Sequence, residues 1–333
     1  MNKRTLFFYY GPHPFHKALA ETVGAEFYGL NTIGKSYLEK IFIFLKRLLF
    51  FPKNYDIYFC EGTYLIPTFL KYIGLLSKDK KIIDLKADSL LYYLKIGQGN
   101  KLKNLISKKF LRYVDLFVCV GKMTDEFLKS FYPEAKSFIV YPFILEGRYE
   151  RLISIPLKRR FDHNILFIGN GPDWYYKGLD LLVESFKEIK NYYDDAHLYI
   201  LGNWSNEVVS KYSTEGISFV GYASPEDYVE KCSLYIHLGR GDTFPVSSLE
   251  AMLGGLPTIV SEFTGTKEVV SEVNKDFVLP LDKDKIVKRV IEYFELSDED
   301  KYALSLKFRE SAKRFRKDIV LEDFEKKWKE NVL

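Results

Sequence analysis

Short apolar runs alternate along this chain with longer stretches whose apolar and charged positions recur at helical spacing. Such alternation predicts strands and helices taking turns in a parallel α/β sheet. In the first half, "RTLFFYY", "DIYFC", "KIIDL", "DLFVCV" and "SFIVYPF" predict strands, with helices at "SYLEKIFIFLKRLLFF" and "GNKLKNLISKKFLRYV". The second half repeats the pattern, with strands at "HNILFIG", "AHLYILG", "ISFVGY", "SLYIHL" and "LPTIVS". Its helices are expected at "KGLDLLVESFKEI", "SPEDYVEKC" and "SSLEAMLGG". The polar segment "LEGRYERLISIPLKRRFDHN", with Pro156 near its middle, reads as an irregular joint. The expectation is an α/β protein of two Rossmann-like, doubly wound domains, residues 1–150 and 151–310, facing each other across a cleft. A charged helix at 311–333 is expected to pack back across the joint.

The length of 333 residues agrees, being too great for one typical core. No apolar run reaches the ~18–20 residues that span a bilayer. The opening "MNKRTLFFYYGPHPF" pairs basic residues with an apolar run too short for a secretion signal, so a cytoplasmic location is expected. Cys60, Cys119 and Cys232 sit in or beside apolar runs without metal-ligand spacing and read as buried strand residues. Charge is uneven: residues 1–150 carry 23 Lys/Arg against 14 Asp/Glu, and the remainder 26 against 31, so +9 and −5. A basic half suits an anionic partner or a solvated Lys-rich surface. No recognition motif accompanies the charge, so nucleic acid is not expected.

Chemistry-bearing residues gather where strands should end. "YYGPHPFHKALAE" places Gly11 after a strand and His13 and His16 about a Pro-Phe turn, where they would meet an anion or a hydroxyl or simply face solvent. "FIGNGPDWYYKGLDLL" ends a strand at Gly169, continues through Asn170 and Gly171, and sets Lys177 before a helix. It lacks the third glycine of a dinucleotide fingerprint, which disfavours an NAD enzyme. In "RGDTFPVSSLEAMLGGLPTIVS", Asp242 should lie at the sheet's carboxyl edge and Glu250 early in a helix capped by Ser247 or Ser248. Free N–H groups at that helix start suit a diphosphate, and two carboxylates suit the hydroxyls of a ribose and a hexose. A sugar nucleotide combines those demands. "DKD" at 282–284 reads as helix-start acids, and no metal is assigned.

The second half resembles the GT-B glycosyltransferases of the family-4 type (glycosyl transferases group 1). The resemblance runs from "FIGNGPDWYYKGLDLLVESF" through "LYILGN" and the Asp242 segment to "FVLPLDKDKIVKRVIEYF", about half the chain. Its most specific marks are an acid, seven residues and Glu250, then Glu-Ala-Met, Gly-x-Pro and a later Gly-x-x-Glu ending at Glu268. The first half matches only in outline. The resemblance implies that Glu250 binds the ribose, Asp242 the donor sugar, and Lys177 the leaving diphosphate, with N–H groups near Val246 and Ser247 assisting. Gly11 would approach the phosphates, and Glu268 would lie on the donor side. It also implies retention of configuration and no bound metal or other cofactor. The family commonly has Glu where Asp242 stands, Gly where Pro245 stands, and Arg where Asn170 stands. Arg240 is close enough in sequence to replace that Arg. The first-domain His has no counterpart; "IIDLKADS" offers Lys86 and Asp88 on the acceptor side instead.

The function expected is transfer of a hexose-like sugar from a nucleotide-diphosphate donor to a glycan or lipid-linked acceptor. A degenerate chain that only binds a sugar nucleotide or a partner is the alternative, and a glycosidase a weaker one. "LEKIFIFLKRLLFFPK" mixes bulky apolar residues with Lys40, Lys46, Arg47 and Lys53. It reads either as a buried helix between strands or as one resting peripherally on an anionic membrane.

Overall fold

The computed structural model describes residues 3–11, 13–30, 34–170 and 174–333. The chain divides into two compact units, residues 1–142 with 318–333, and residues 143–317. Each holds a parallel six-stranded sheet flanked by helices.

The first unit contains β1 (Thr5–Tyr9), β2 (Glu26–Gly29), β3 (Ile57–Glu61), β4 (Lys81–Lys86), β5 (Leu116–Cys119) and β6 (Ser137–Ile139). Their order is β2-β1-β3-β4-β5-β6, so the winding reverses between β1 and β3. The pairings Tyr9↔Glu61 and Glu61↔Leu85 level the carboxyl ends of β1, β3 and β4. The central strands are apolar on both faces because helices cover both sides of the sheet. β2 has no counterpart among the expected strands. It is short and lies at the sheet edge, and Glu26 faces outward, where it accepts from Arg4 at 3.0 Å and Tyr55 at 2.7 Å. The last helix, Lys317–Asn331, lays Phe324 and Trp328 against Phe59, with ring centroids 6.4 and 5.2 Å apart.

The second unit contains β7 (Asn164–Ile168), β8 (His197–Leu201), β9 (Ile217–Gly221), β10 (Leu234–His237), β11 (Thr258–Ser261) and β12 (Val278–Leu279). The order β12-β11-β10-β7-β8-β9 puts the reversal between β7 and β10. The segment expected as an irregular joint is instead helical over Glu146–Ser154, and belongs wholly to this unit. Its buried Tyr149 and Leu152 lie one helical turn apart, a spacing masked by the charges around them. Asp282 caps the helix Lys283–Phe294 by accepting from the Lys285 N–H at 3.0 Å, as its helix-start reading requires. All three cysteines are buried and free; Cys232 precedes β10 rather than lying in it. Among the described residues, no helix is long and apolar enough to cross a membrane.

β4 also carries a buried ion pair. Asp84 and Lys86 point to the same face, both fully buried, with Nζ 2.7 Å from the carboxylate. The ammonium lies over the Tyr64 ring, 4.6 Å from its centre. Burial pushes the Asp84 carboxyl upward against the pull of Lys86. Removing one partner strands the other charge, so Lys86→Met should cost about 3–5 kcal/mol in urea unfolding. Asp84→Leu combined with Lys86→Met should recover most of that loss.

Candidate functional site

In open parallel sheets, ligands lie beyond the carboxyl ends of strands where the winding reverses. In the second unit this is the edge formed by β7 and β10. Asn170 follows β7, and Asp242 lies in the loop after β10. Lys177 is carried there by the turn before the helix Leu179–Tyr192. That turn passes tightly against the end of β10: a Cβ on Gly178, whose φ is +74°, would sit 2.0 Å from the Leu238 carbonyl oxygen. Glycine is therefore what lets Lys177 approach Asp242. On the other side, Gly265 donates to the Asp242 carbonyl at 2.8 Å. A Cβ on Gly265 would lie 1.6 Å from the Thr243 oxygen.

The result is a clamped carboxylate. Asp242 Oδ2 accepts from Lys177 Nζ at 2.6 Å and from His237 Nε2 at 2.9 Å. Burial alone would raise this carboxyl, but the His237 hydrogen bond and the Lys177 ammonium overcome it and hold it well below the usual range. His237 is fully buried at the end of β10, and burial lowers its pKa despite Asp242. The imidazole is thus neutral near pH 7. Because an ionised carboxylate only accepts, the proton is assigned to Nε2. Nδ1 then faces the Tyr235 hydroxyl at 3.4 Å, and that hydroxyl lies 2.9 Å from Ser247 Oγ. A polar chain therefore links the Asp242 carboxylate to the start of the next helix.

That helix runs Val246–Gly254 and begins two or three residues earlier than a Ser247 or Ser248 cap requires. Pro245 occupies the cap position, and no side chain caps the helix; both serines lie inside it. The first N–H groups, of Val246 and Ser247, emerge at the end of the helix dipole that favours an anion. Glu250 lies on the second turn, 5% exposed, and accepts from Arg148 Nη1 at 2.9 Å. Burial raises the Glu250 carboxyl, with the Arg148 guanidinium opposing and Glu226 adding to it. Glu226 in turn binds Arg151 Nε at 2.6 Å. Both arginines come from the helix Glu146–Ser154.

Other candidates have different places. Arg240 is spoken for: its guanidinium grips Asp180 at 2.7 and 3.0 Å and lies over the Tyr175 ring, so the charge expected to aid a phosphate is already balanced. Asn170 Oδ1 accepts from the Asn203 N–H at 3.0 Å, tying the ends of β7 and β8 together. Glu268 stands in the first turn of the helix Lys267–Val273. Gly171 lies outside the described residues.

In the first unit, the carboxyl ends of β1, β3 and β4 border a cavity of about 160 Å³ lined by Tyr10, His16, Glu61, Gly62 and Asp88. His16 Nδ1 meets Glu61 Oε1, and Glu61 Oε2 is buried without a hydrogen-bond partner. Asp88 Oδ1 accepts from the Leu90 N–H at 3.1 Å. His13 caps the helix Pro14–Thr22, with its ring centre 5.0 Å from that of His16. Gly11 lies two residues past the end of β1. Lys86 offers nothing to an acceptor, because it is wholly buried against Asp84. A larger opening of about 680 Å³ borders Lys80, Asp115 and Lys136 at the amino ends of β4 and β5, the opposite edge from this chemistry.

Sequence reasoning missed His237, Tyr235, Arg148 and Glu61. "LYIH" does carry a signal, since Tyr235 and His237 alternate onto one face near the strand's carboxyl end. Glu61, an acid ending a strand before a glycine, was also findable.

Residues 162–295 match the family described as glycosyl transferases group 1. An uncharacterised glycosyltransferase of Methanocaldococcus jannaschii is 23% identical over 215 residues, which cover 60% of this chain and 53%, about half, of that relative. Sucrose-phosphate synthase from Thermosynechococcus elongatus superposes with a TM-score of 0.74 at 12% identity, covering 98% of this chain and 99% of that one. Anabaena HepE in complex with UDP-glucose gives 0.68 at 13% identity, covering 98% and 100%. The fold is that of the GT-B glycosyltransferases.

The clamp has a pH signature. The Asp242 carboxyl is lower in the folded chain than its unfolded value of ~3.9, so its stabilisation is complete above ~pH 5 and is lost as pH falls further. Asp242→Asn should therefore cost about 1–3 kcal/mol at neutral pH. The gap from the parent should close as pH drops below ~4 in urea unfolding followed across pH.

Proposed function

We propose, from the premise that residues 162–295 belong to the glycosyl transferases group 1 family, that this chain moves a hexose-like sugar from a nucleoside-diphosphate donor to a glycan or lipid-linked acceptor. The reading includes retention of configuration, no metal, and work in the cytoplasm, with peripheral membrane contact where the acceptor is lipid-borne. The observation that carries it is the ionised Asp242 between Lys177 and His237, joined through Tyr235 to an uncapped helix start.

As the bond between the sugar C1 and the diphosphate oxygen loosens, negative charge grows on the leaving group. The Lys177 ammonium, which would be shared between Asp242 and the leaving group, and the N–H groups of Val246 and Ser247 are the positive ends assigned to it. Asp242 Oδ2 is occupied, which leaves Oδ1 to accept from sugar hydroxyls. Glu250 accepts from the ribose diol while Arg148 opposes the effect of its burial. Both carboxylates then orient the donor rather than move protons. On the acceptor side, His16, Glu61 and Asp88 hold a hydroxyl-bearing group in the cavity they line, with His13 beside His16.

A second reading has its own support. Glu250 and Arg240 are already paired, which suits a chain that binds a sugar nucleotide without transferring it. A thermal-shift screen against UDP-, GDP-, ADP- and dTDP-sugars comes first: one donor should raise the melting temperature by mass action. With that donor, Lys177→Ala should lower kcat about 10²–10³-fold in a product assay. A shift from no donor would sink the donor site; a shift without product from any acceptor would favour the binding-only reading.

A further inference from the structure

The helix layer on one side of the first unit leaves a band of apolar side chains facing outward. Helix Tyr37–Leu49 has Ile43, Phe44 and Leu48 resting partly on the core. Its outer side carries Leu38, Phe42, Leu45 and Leu49, spaced by four, three and four residues and so aligned in one stripe. Leu38, Phe42 and Leu49 are 77%, 68% and 75% exposed. A capping box, Ser36 with Glu39, fixes the start of this helix. Beside it packs the helix Leu65–Tyr72, and beyond that Lys101–Leu111, where Phe69 and Tyr72 each meet Phe110 at 5.9 Å. The third helix repeats the feature, with Leu102 and Leu105 65% and 66% exposed.

The charges around this band have one sign. Residues 35–53 hold five Lys/Arg and a single acid, Glu39; residues 101–112 hold five Lys/Arg and no acid. A second copy laid on the same face would set these cations against each other. An anionic bilayer satisfies both features: leucine and phenylalanine enter the acyl boundary, while long basic side chains reach the lipid phosphates. We propose that the outer faces of helices Tyr37–Leu49 and Lys101–Leu111 dock the first unit on an anionic lipid bilayer. This deepens the peripheral membrane contact of the proposed function, on which it rests; docking needs neither donor nor acceptor, so its failure leaves the donor site untouched.

The full chain, without donor, is sedimented with vesicles of phosphatidylcholine alone or mixed with phosphatidylglycerol, at low and high salt. It should pellet with the mixed vesicles at low salt and hardly at all with phosphatidylcholine alone. The paired substitutions Phe42→Glu and Leu45→Glu should weaken that binding about tenfold or more. Lys40→Glu with Lys46→Glu should weaken it too and flatten its salt dependence. These side chains face solvent, so melting temperatures should stay at the parent value. Absence of pelleting with the anionic vesicles at low salt overturns the proposal, as does pelleting that Phe42→Glu with Leu45→Glu leaves unchanged. A dimer in solution that this pair dissociates would assign the band to a second copy and overturn it equally.

Discussion

The second unit is arranged around one carboxylate that burial alone would tend to neutralise. Asp242 sits at the reversal of the sheet with little solvent, where a lone acid would pick up a proton. Lys177 from one turn and His237 from the end of β10 keep it ionised. Several backbone choices follow from bringing those three together. Gly178 allows the Lys177 turn to cross the end of β10, and Gly265 allows the loop after β11 to brace the Asp242 backbone. A larger residue at either place would push the partners apart before any ligand arrived.

Two buried carboxylates and one half-buried one show how surroundings decide role. Asp242 has two donors on one oxygen and is held ionised. Glu250 has an arginine on one oxygen and a raised carboxyl, balanced between burial and its counterion. Asp84 shares a closed site with Lys86, both without solvent, and serves the packing of β4. The first two can meet a ligand; the third cannot. Side-chain chemistry alone would not separate them, since each is an acid in or just beyond a predominantly apolar element.

Much of the fold was legible because the central strands are covered on both faces and so read as continuous apolar runs. β2 escaped because it lies at an edge, where Glu26 and Gly29 break the run. The helix Glu146–Ser154 escaped because its charges hide a two-residue apolar face. In the candidate site, Asp242, Lys177 and Glu250 were legible from spacing and resemblance, and the structure brings Lys177 and Asp242 into contact across 65 positions of sequence. Arg148 was not, because its bond to Glu250 spans 102 positions and nothing local marks it. Arg240 and Lys86 show the converse. Each is a cation in a suggestive stretch, and each is consumed by an acid, Asp180 or Asp84, whose position only the folded chain reveals.

If Asp242 is a hydrogen-bond acceptor for the donor's sugar, its contribution should vanish when the sugar is absent. Calorimetric titration of the parent chain and Asp242→Asn with a nucleotide sugar, and with the matching nucleoside diphosphate, isolates that term. If Asp242 plays that role, Asp242→Asn should weaken the nucleotide sugar about tenfold more than the diphosphate, one lost charge-assisted hydrogen bond beyond any change at Lys177. Equal weakening of both ligands, or of neither, would contradict it.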